Sequence, residues 1–458
     1  METITYENLK VEGFPYRKLL SVQISHRPNE HGTAVLEGEV DADQAQDVML
    51  RTDETLRVSL VTTAEGQPDK LFSGCVKDIA LRQENAYSIV TLSLYTTSRI
   101  LDITRKKKTY QQVSQTYGQI ITDSISDKGD LHMMVTDKAI GQLIMKYNET
   151  DWAFAMRMTS QLGAPLVADI TAPRPQLYAG LPPSRKTVRI ESSSFSYGGN
   201  VDRLSGAMTQ DFAGEQVQSY EYAFIGDMVT MNGKSARIKG VHAVLADGLL
   251  CMSYELMQTN GSTTGIAAPK TVSKASGKMM KGIVKEVQGD KVKVHITDID
   301  KEYDGGGDWW FPFSTAYSSS DGSGWYCMPE KDDEVRVFFP SGQEGEAFAA
   351  SSVCAHPPLN PRHKSWKAPG GKEILLTDEG MYIIAKSGKI YINLTDLKGI
   401  EIYSDKEINI MSDTKVSISA ASEVDIVASN EIIIGTEEAY IDLNKNSAVL
   451  AASEVLIN

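Results

Sequence analysis

The sequence predicts a mainly β protein that is complete only as a homotrimer. Three observations lead there. An apolar pair returns every eight residues through the C-terminal region, strand-like text fills most of the first 258 residues, and a compact run of five short strands lies between them. A chain of 458 residues and 50.2 kDa has room for two to four domains.

The N-terminal segment, 1–258, reads as strands with small helical insertions. YRKLLSVQISH (16–26) and ETLRVSLVTT (54–63) are apolar with partial alternation, and the stretch 71–102 reads as several strands of one sheet or barrel. Within TYQQVSQTYGQIITDSI, Val113, Tyr117, Ile120 and Ile121 share one helical face. TDWAFAMRMTSQLG predicts a second helix, capped by Thr150 or Asp151 and stopped by Gly163, with Trp152 and Phe154 as packing or interface residues. Strand-like text resumes from Lys186 to about Gln258. Residues 259–278 have Gly, Ser, Thr and Pro with little to bury and read as a linker.

Residues 279–356 form the compact module. MMKGIVKEVQ and KVKVHI flank a Gly-Asp turn, DEVRVFF alternates cleanly, and a long aromatic loop separates them. Five short strands with long loops predict a small closed barrel. Trp309, Trp310 and Phe311 are candidates for its core, for a subunit contact or for a ligand contact. PPLNPRHKSWKAPGG (357–371) is a second linker.

From residue 372 to 458 the octads take over. The pairs are Ile374/Leu376, Tyr382/Ile384, Ile390/Ile392, Ile400/Ile402, Ile408/Ile410, Val416/Ile418, Val424/Ile426 and Ile432/Ile434. The one irregular step, from Ile390 to Ile400, carries Gly399 in a position to absorb the extra length. Past Ile434 the frame slips by one at Ile441/Leu443. A helix needs apolar residues every third or fourth position, and these blocks lack them. They are rich in Ile, Val, Ser, Thr and Asp, which suit strands and turns. The first and third residues of a block point to one side of a strand. Each block offers only about two inward side chains, too few for one chain to enclose a core, and the usual single-chain solenoid repeats run ~20 residues or more. Three copies solve this. Each supplies one wall of a triangular tube, the sixteen paired residues point inward, and backbone groups pair between chains so that edges vanish. The octads therefore predict a trimeric rod with an acidic exterior.

Composition excludes several functions. A formal net charge of -14 argues against a nucleic-acid partner. No apolar run is long enough to span a bilayer, and the start, METITYENLK, does not read as a signal peptide. Cys75, Cys251, Cys327 and Cys354 form no CxxC pair, and the histidines form neither HExxH nor HxH. No metal site, cofactor or catalytic residue is expected. Asp332, Asp333 and Glu334 read as solvated residues at a strand start rather than a glycosidase pair. DGGGDWW (304–310) lacks the Lys-Ser/Thr ending of a phosphate loop.

The order of segments, together with two local stretches, resembles the spike proteins of contractile injection systems. These include the VgrG proteins of type VI secretion, the hub-plus-needle proteins of contractile phage tails, and the spikes of tailocins. TDWAFAMRMTSQLGAPLVAD resembles the family's helix with an aromatic pair leading into a strand. MPEKDDEVRVFFPSGQEGEAFAASSV resembles the closing stretch of its small barrel, with Pro329, Asp333, Glu334 and Val335 in the recurring phrase. The resemblance implies phage-hub-like β-barrels over 1–258, an oligonucleotide-binding-type (OB-fold) barrel as neck, and an intertwined triple-stranded β-helix, or β-prism, as needle. It further implies tube and baseplate proteins as partners, a PAAR-like tip protein seated near Val455, Leu456, Ile457 and Asn458, effector cargo, and transient contact with a target-cell envelope. Such a protein is cytoplasmic before assembly and then part of an injection particle or secreted on firing. Only about fifteen residues separate Ser352 from Gly370, too few for the lysozyme domain that some phage forms insert there. A receptor-binding tail fibre and a β-helical polysaccharide-degrading enzyme are the alternatives.

Overall fold

A computed structural model of the chain describes residues 3–64, 69–84, 87–190, 195–197, 215–231, 233–258, 266–303, 307, 309–354, 356–436 and 438–455. It divides into two compact units, Met1–Val353 and Cys354–Asn458.

A twelve-stranded sheet dominates the first unit. Its antiparallel path runs from Leu9–Glu12 through Arg57–Thr62, Asp69–Glu84, Tyr87–Thr96 and Thr33–Val40 to Lys18–His26. There it crosses to Lys234–Ala246 and Leu249–Gln258. The crossing pair matches His26 with Val241 and Gln23 with Val244. Strands here alternate as the sequence does: in Thr33–Val40 the residues Ala34, Leu36, Gly38 and Val40 sit inward. Val22, Ile24, Leu36, Leu60, Phe72 and Leu92 share one core with Val188, Ile225, Ile238 and Tyr254. Among the described residues Lys18–His26 pairs on both edges and joins the two halves into one sheet.

Among the described residues three α-helices insert into this unit. α1 (Ala45–Arg51) lies in a region whose text reads mostly as strands. α2 (Tyr117–Ile125) starts later than its apolar spacing suggests, leaving Val113 outside. Thr116 and Gln119 form a capping box, with the Gln119 amide donating to Thr116 Oγ1 at 3.3 Å. α3 (Asp151–Gln161) is capped by Thr150, whose Oγ1 accepts from the Ala153 amide at 3.1 Å, and stops before Gly163 at φ +66. Trp152 and Phe154 are both buried in the core beneath α2 and α3.

The five strands Lys278–Gln288, Lys291–His295, Phe311–Ser314, Glu334–Phe339 and Phe348–Ser352 close into a barrel. Its interior holds Met280, Val284, Val292, Val294, Phe311, Val335, Val337 and Phe339. Gly282 faces inward where a Cβ would lie 2.3 Å from Val294 Cγ1, so only glycine fits. Of the three aromatics, Phe311 is core, Trp309 packs half-buried against it, and Trp310 lies under the Lys293 ammonium. Residues 268–277, expected to have little to bury, pack Ala275 into the barrel core, and the Ser273 amide donates to Gly342 O at 3.0 Å.

The second unit is a pair of antiparallel meanders. The first runs Lys364–Lys367, Glu373–Leu376, Gly380–Ile384, Ile390–Thr395 and Gly399–Ser404; the second runs Glu431–Gly435, Tyr440–Asn444 and Ala448–Ala451. Residues 405–430, between them, contain no strand.

Candidate assembly surface

The first meander sorts its side chains by register. Cross-strand partners line one row through Trp366, Ile374, Ile383, Ile392 and Ile402, and a second through Leu376, Met381, Leu394 and Ile400. Directly opposed residues in antiparallel strands share a face, so one face of this sheet is aliphatic almost throughout. Ile390 belongs to it as well. A cavity of about 550 Å³ opens along it, lined by Trp366, Ile374, Ile383, Ile390, Ile392, Ile402 and Ile408 among others.

Six of the eight octad residues expected inward between 374 and 402 lie on this face. Tyr382 and Ile384 do not: they pair with Leu375 and Asn393, and with Glu373 and Tyr391, on the other side. The reason is parity. Ile374 to Ile383 and Ile383 to Ile392 are steps of nine residues, and each odd step switches which parity faces the sheet's apolar side. Ile392 to Ile402 is a step of ten, which preserves it, and Gly399 at φ +78 makes that longer turn. Tyr391 and Tyr403 stack on the opposite face with ring centroids 5.3 Å apart.

The next three octads are different. Ile408, Ile410, Val416, Ile418, Val424 and Ile426 are 50–75% exposed. Residues 406–430, all described, make no backbone–backbone hydrogen bond; Ser404 and Ser412 side chains cap the amides of Lys406, Thr414 and Lys415. The second meander resumes pairing, with Ile432, Ile434, Ile441, Leu443 and Leu450 on one face. Its odd steps account for the frame slip at Ile441/Leu443. No described residue from Cys354 to Val455 is buried. Soluble monomers rarely leave apolar area of this extent open. Val455 is exposed, and the other three candidate tip contacts, Leu456, Ile457 and Asn458, lie outside the described residues.

The first unit offers one arrangement that imitates a catalytic triad. His31 Nδ1 lies 2.8 Å from Ser98 Oγ, and His31 Nε2 lies 3.6 Å from Asp102 Oδ2. Ser98 is 1% exposed, His31 stacks 4.2 Å from Trp152, and Asp102 accepts from Arg99 and Thr150. A nucleophile must be reached by the acyl group it attacks, and this one is sealed. Burial also lowers the His31 pKa to about 4, despite the attraction of Asp102. The group fixes the start of α3 instead. At the barrel rim, Asp333 accepts from the Glu330 amide at 2.8 Å, and Glu334 pairs with Lys281 at 2.6 Å and Arg336 at 2.7 Å. Most of the 304–310 loop lies outside the described residues. Among the described residues no three His, Cys, Asp or Glu side chains are grouped as metal ligands, and no helix is long and apolar enough to cross a membrane.

No family model and no curated protein matches the chain. Solved structures do. The Escherichia coli c3393 protein, a type VI secretion system component described as similar to the T4 bacteriophage tail proteins gp27 and gp5, aligns at 13% identity. It covers 75% of this chain and 99% of its own, with a TM-score of 0.56. A chain of the half-lidded Francisella PdpA–VgrG complex aligns at 8% identity over 86% of this chain and 87% of its own, with a TM-score of 0.53. In the lidded complex the TM-score is 0.51. The chain shares the fold of these proteins.

Proposed function

We propose that this chain is the non-enzymatic spike of a contractile injection system. In this reading the sheet and helices of 1–258 form the hub, the barrel is the neck, and three copies of residues 372–458 form the needle. The hub engages tube and baseplate proteins. The needle carries a PAAR-like tip protein and effector cargo and is driven through a target envelope. The chain is cytoplasmic until it joins the particle, and nucleic acid has no part in its function.

Residues 406–430 carry the proposal. Three consecutive octads leave their apolar pairs without partners inside the chain and, apart from the side-chain-capped amides of Lys406, Thr414 and Lys415, their backbone groups as well. Backbone groups withdrawn from water need partners, and only other chains can supply them here. Copies packed around a threefold axis satisfy both demands. The apolar face of each first meander becomes one wall of the interior, and the three octads pair between chains. The wall is then made by the rows through Trp366, Ile374, Ile383, Ile392 and Ile402 and through Leu376, Met381, Leu394 and Ile400. Tyr382, Ile384, Tyr391 and Tyr403 face outward. The shared fold with type VI secretion proteins supports the hub and neck.

Sedimentation equilibrium of the full chain tests the assembly. The expected mass is three times 50.2 kDa. A stable monomer, or a dimer in which two apolar faces form a sandwich, overturns the needle.

A further inference from the structure

Hub and barrel are separated in sequence by residues 259–278, yet the two cores are not independent. The strand Ile144–Glu149 belongs to the hub, where it pairs with Lys106–Tyr110. Nevertheless Leu143 and Met145 are fully buried in the barrel's own core, beside Val294, Val337 and Ala347, and Tyr147 packs against that core. The hub completes the barrel.

Polar contacts hold the same seam. Arg157, on α3, is 4% exposed. Its Nε and Nη2 donate to the two Glu149 oxygens at 3.0 and 2.8 Å, and Nη2 also donates to Met145 O at 2.9 Å. Its Nη1 crosses the seam to Glu344 Oε1, at 2.9 Å. Glu344, from the turn before the last barrel strand, is itself 4% exposed and accepts from the Met145 amide at 3.4 Å. At a second point the Thr109 amide donates to Asp300 Oδ1 at 2.9 Å, the Thr109 hydroxyl bonds the other oxygen, and Gln111 Nε2 donates to Val294 O at 3.1 Å. The Gln142 side chain packs close on the barrel backbone: a Cβ at Gly345 would stand 2.9 Å from Gln142 Oε1.

We propose that residues 142–147, Thr109, Gln111 and Arg157 form a docking surface whose partner is this chain's own barrel, and that the two stay joined when the chain is cut between residues 259 and 265. Two features set its chemistry. Leu143 and Met145 are desolvated only while the barrel is seated. The guanidinium of Arg157 is desolvated between two carboxylates, one from each side, so removal of either partner strands a buried charge. Force applied to the barrel therefore enters the hub through α3 and the strand Ile144–Glu149.

The test cuts that connection. A protease recognition sequence is placed between residues 259 and 265 of the full chain, which is cleaved and run on gel filtration. The hub fragment is expected to co-elute with the barrel-containing fragment. In the same background Arg157→Met should raise the fragment dissociation constant roughly a hundredfold, and Glu344→Gln, which keeps shape and a carbonyl acceptor but loses the charge, by roughly tenfold. Circular dichroism of the uncut variants checks that the hub still folds; should Arg157→Met fail this check, Glu344→Gln decides. Separation of the wild-type fragments on cleavage overturns the proposal, as does unchanged retention in a folded variant. Both results are read from hub release, so they stand whether the chain is monomeric or trimeric.

Discussion

His26 ends the strand that joins the two halves of the sheet and is 3% exposed. Burial lowers its pKa from the usual 6.5 to about 4, as it does for His31. Both are neutral when folded at pH 7. The unfolded chain binds their protons near pH 6.5, so the stability they allow is full above that value and falls as pH drops toward 4. At the acid end each accounts for a loss of roughly 3 kcal/mol. Thermal unfolding followed between pH 7 and pH 4 should show this, and His26→Leu should flatten the slope; an unchanged slope contradicts a desolvated His26. A second residue-scale test separates the meander's faces. Ile383→Ala should destabilise the assembled needle by ~2–5 kcal/mol per chain, while Ile384→Ala, facing outward, should cost under about 1 kcal/mol. Equal effects in thermal unfolding of the assembled protein would contradict the register assignment. Sequence pattern could not separate these neighbours. MYII is apolar at four successive positions, so only the partner strands decide which pair turns inward.

At the scale of elements, periodicity and hairpin geometry obey different rules. A translational repeat of eight keeps parity, whereas an antiparallel turn keeps or switches it according to its length. The octad frame and the register of the first meander therefore coincide at Ile374/Leu376, Ile390/Ile392 and Ile400/Ile402 and part at Tyr382/Ile384. Long alternation in the hub and the cap of α3 were readable for similar local reasons. The helix α1 was not, because Ala45–Arg51 carries only one buried side chain and so no amphipathic stripe. The seating of Met145 in the barrel was invisible too, since a strand residue buried by a module far along the chain leaves no local signal. Residues 406–430 give the element-scale prediction. Their amides have no backbone acceptors within the chain, so hydrogen exchange should be fast in dilute monomer and slow by orders of magnitude after assembly. The amides of Ile390–Thr395 should differ less, because they are already paired. Protection of 406–430 that does not depend on protein concentration would contradict pairing between chains.

For the whole molecule, the contrast between the two units sets what assembly must do. The first unit has a core in each of its parts: the sheet, the α2–α3 region and the barrel. The second has no buried described residue and keeps Ile402, Ile410, Ile418 and Ile426 at least 60% exposed. Burying an aliphatic side chain gains about 1.5–3 kcal/mol, and the octads repeat that gain along the shaft in every chain. In the proposed trimer the free energy of association is thus concentrated after residue 371. Deleting 372–458 should leave the fold of the first unit intact, with little change in its near-ultraviolet circular dichroism, while association weakens by many orders of magnitude. Sedimentation velocity of the truncated chain at micromolar concentration is the measurement. Loss of the fold of residues 3–353 would mean that the octads also stabilise the hub, and an undiminished trimer would move the assembly contacts from the needle to the hub and barrel.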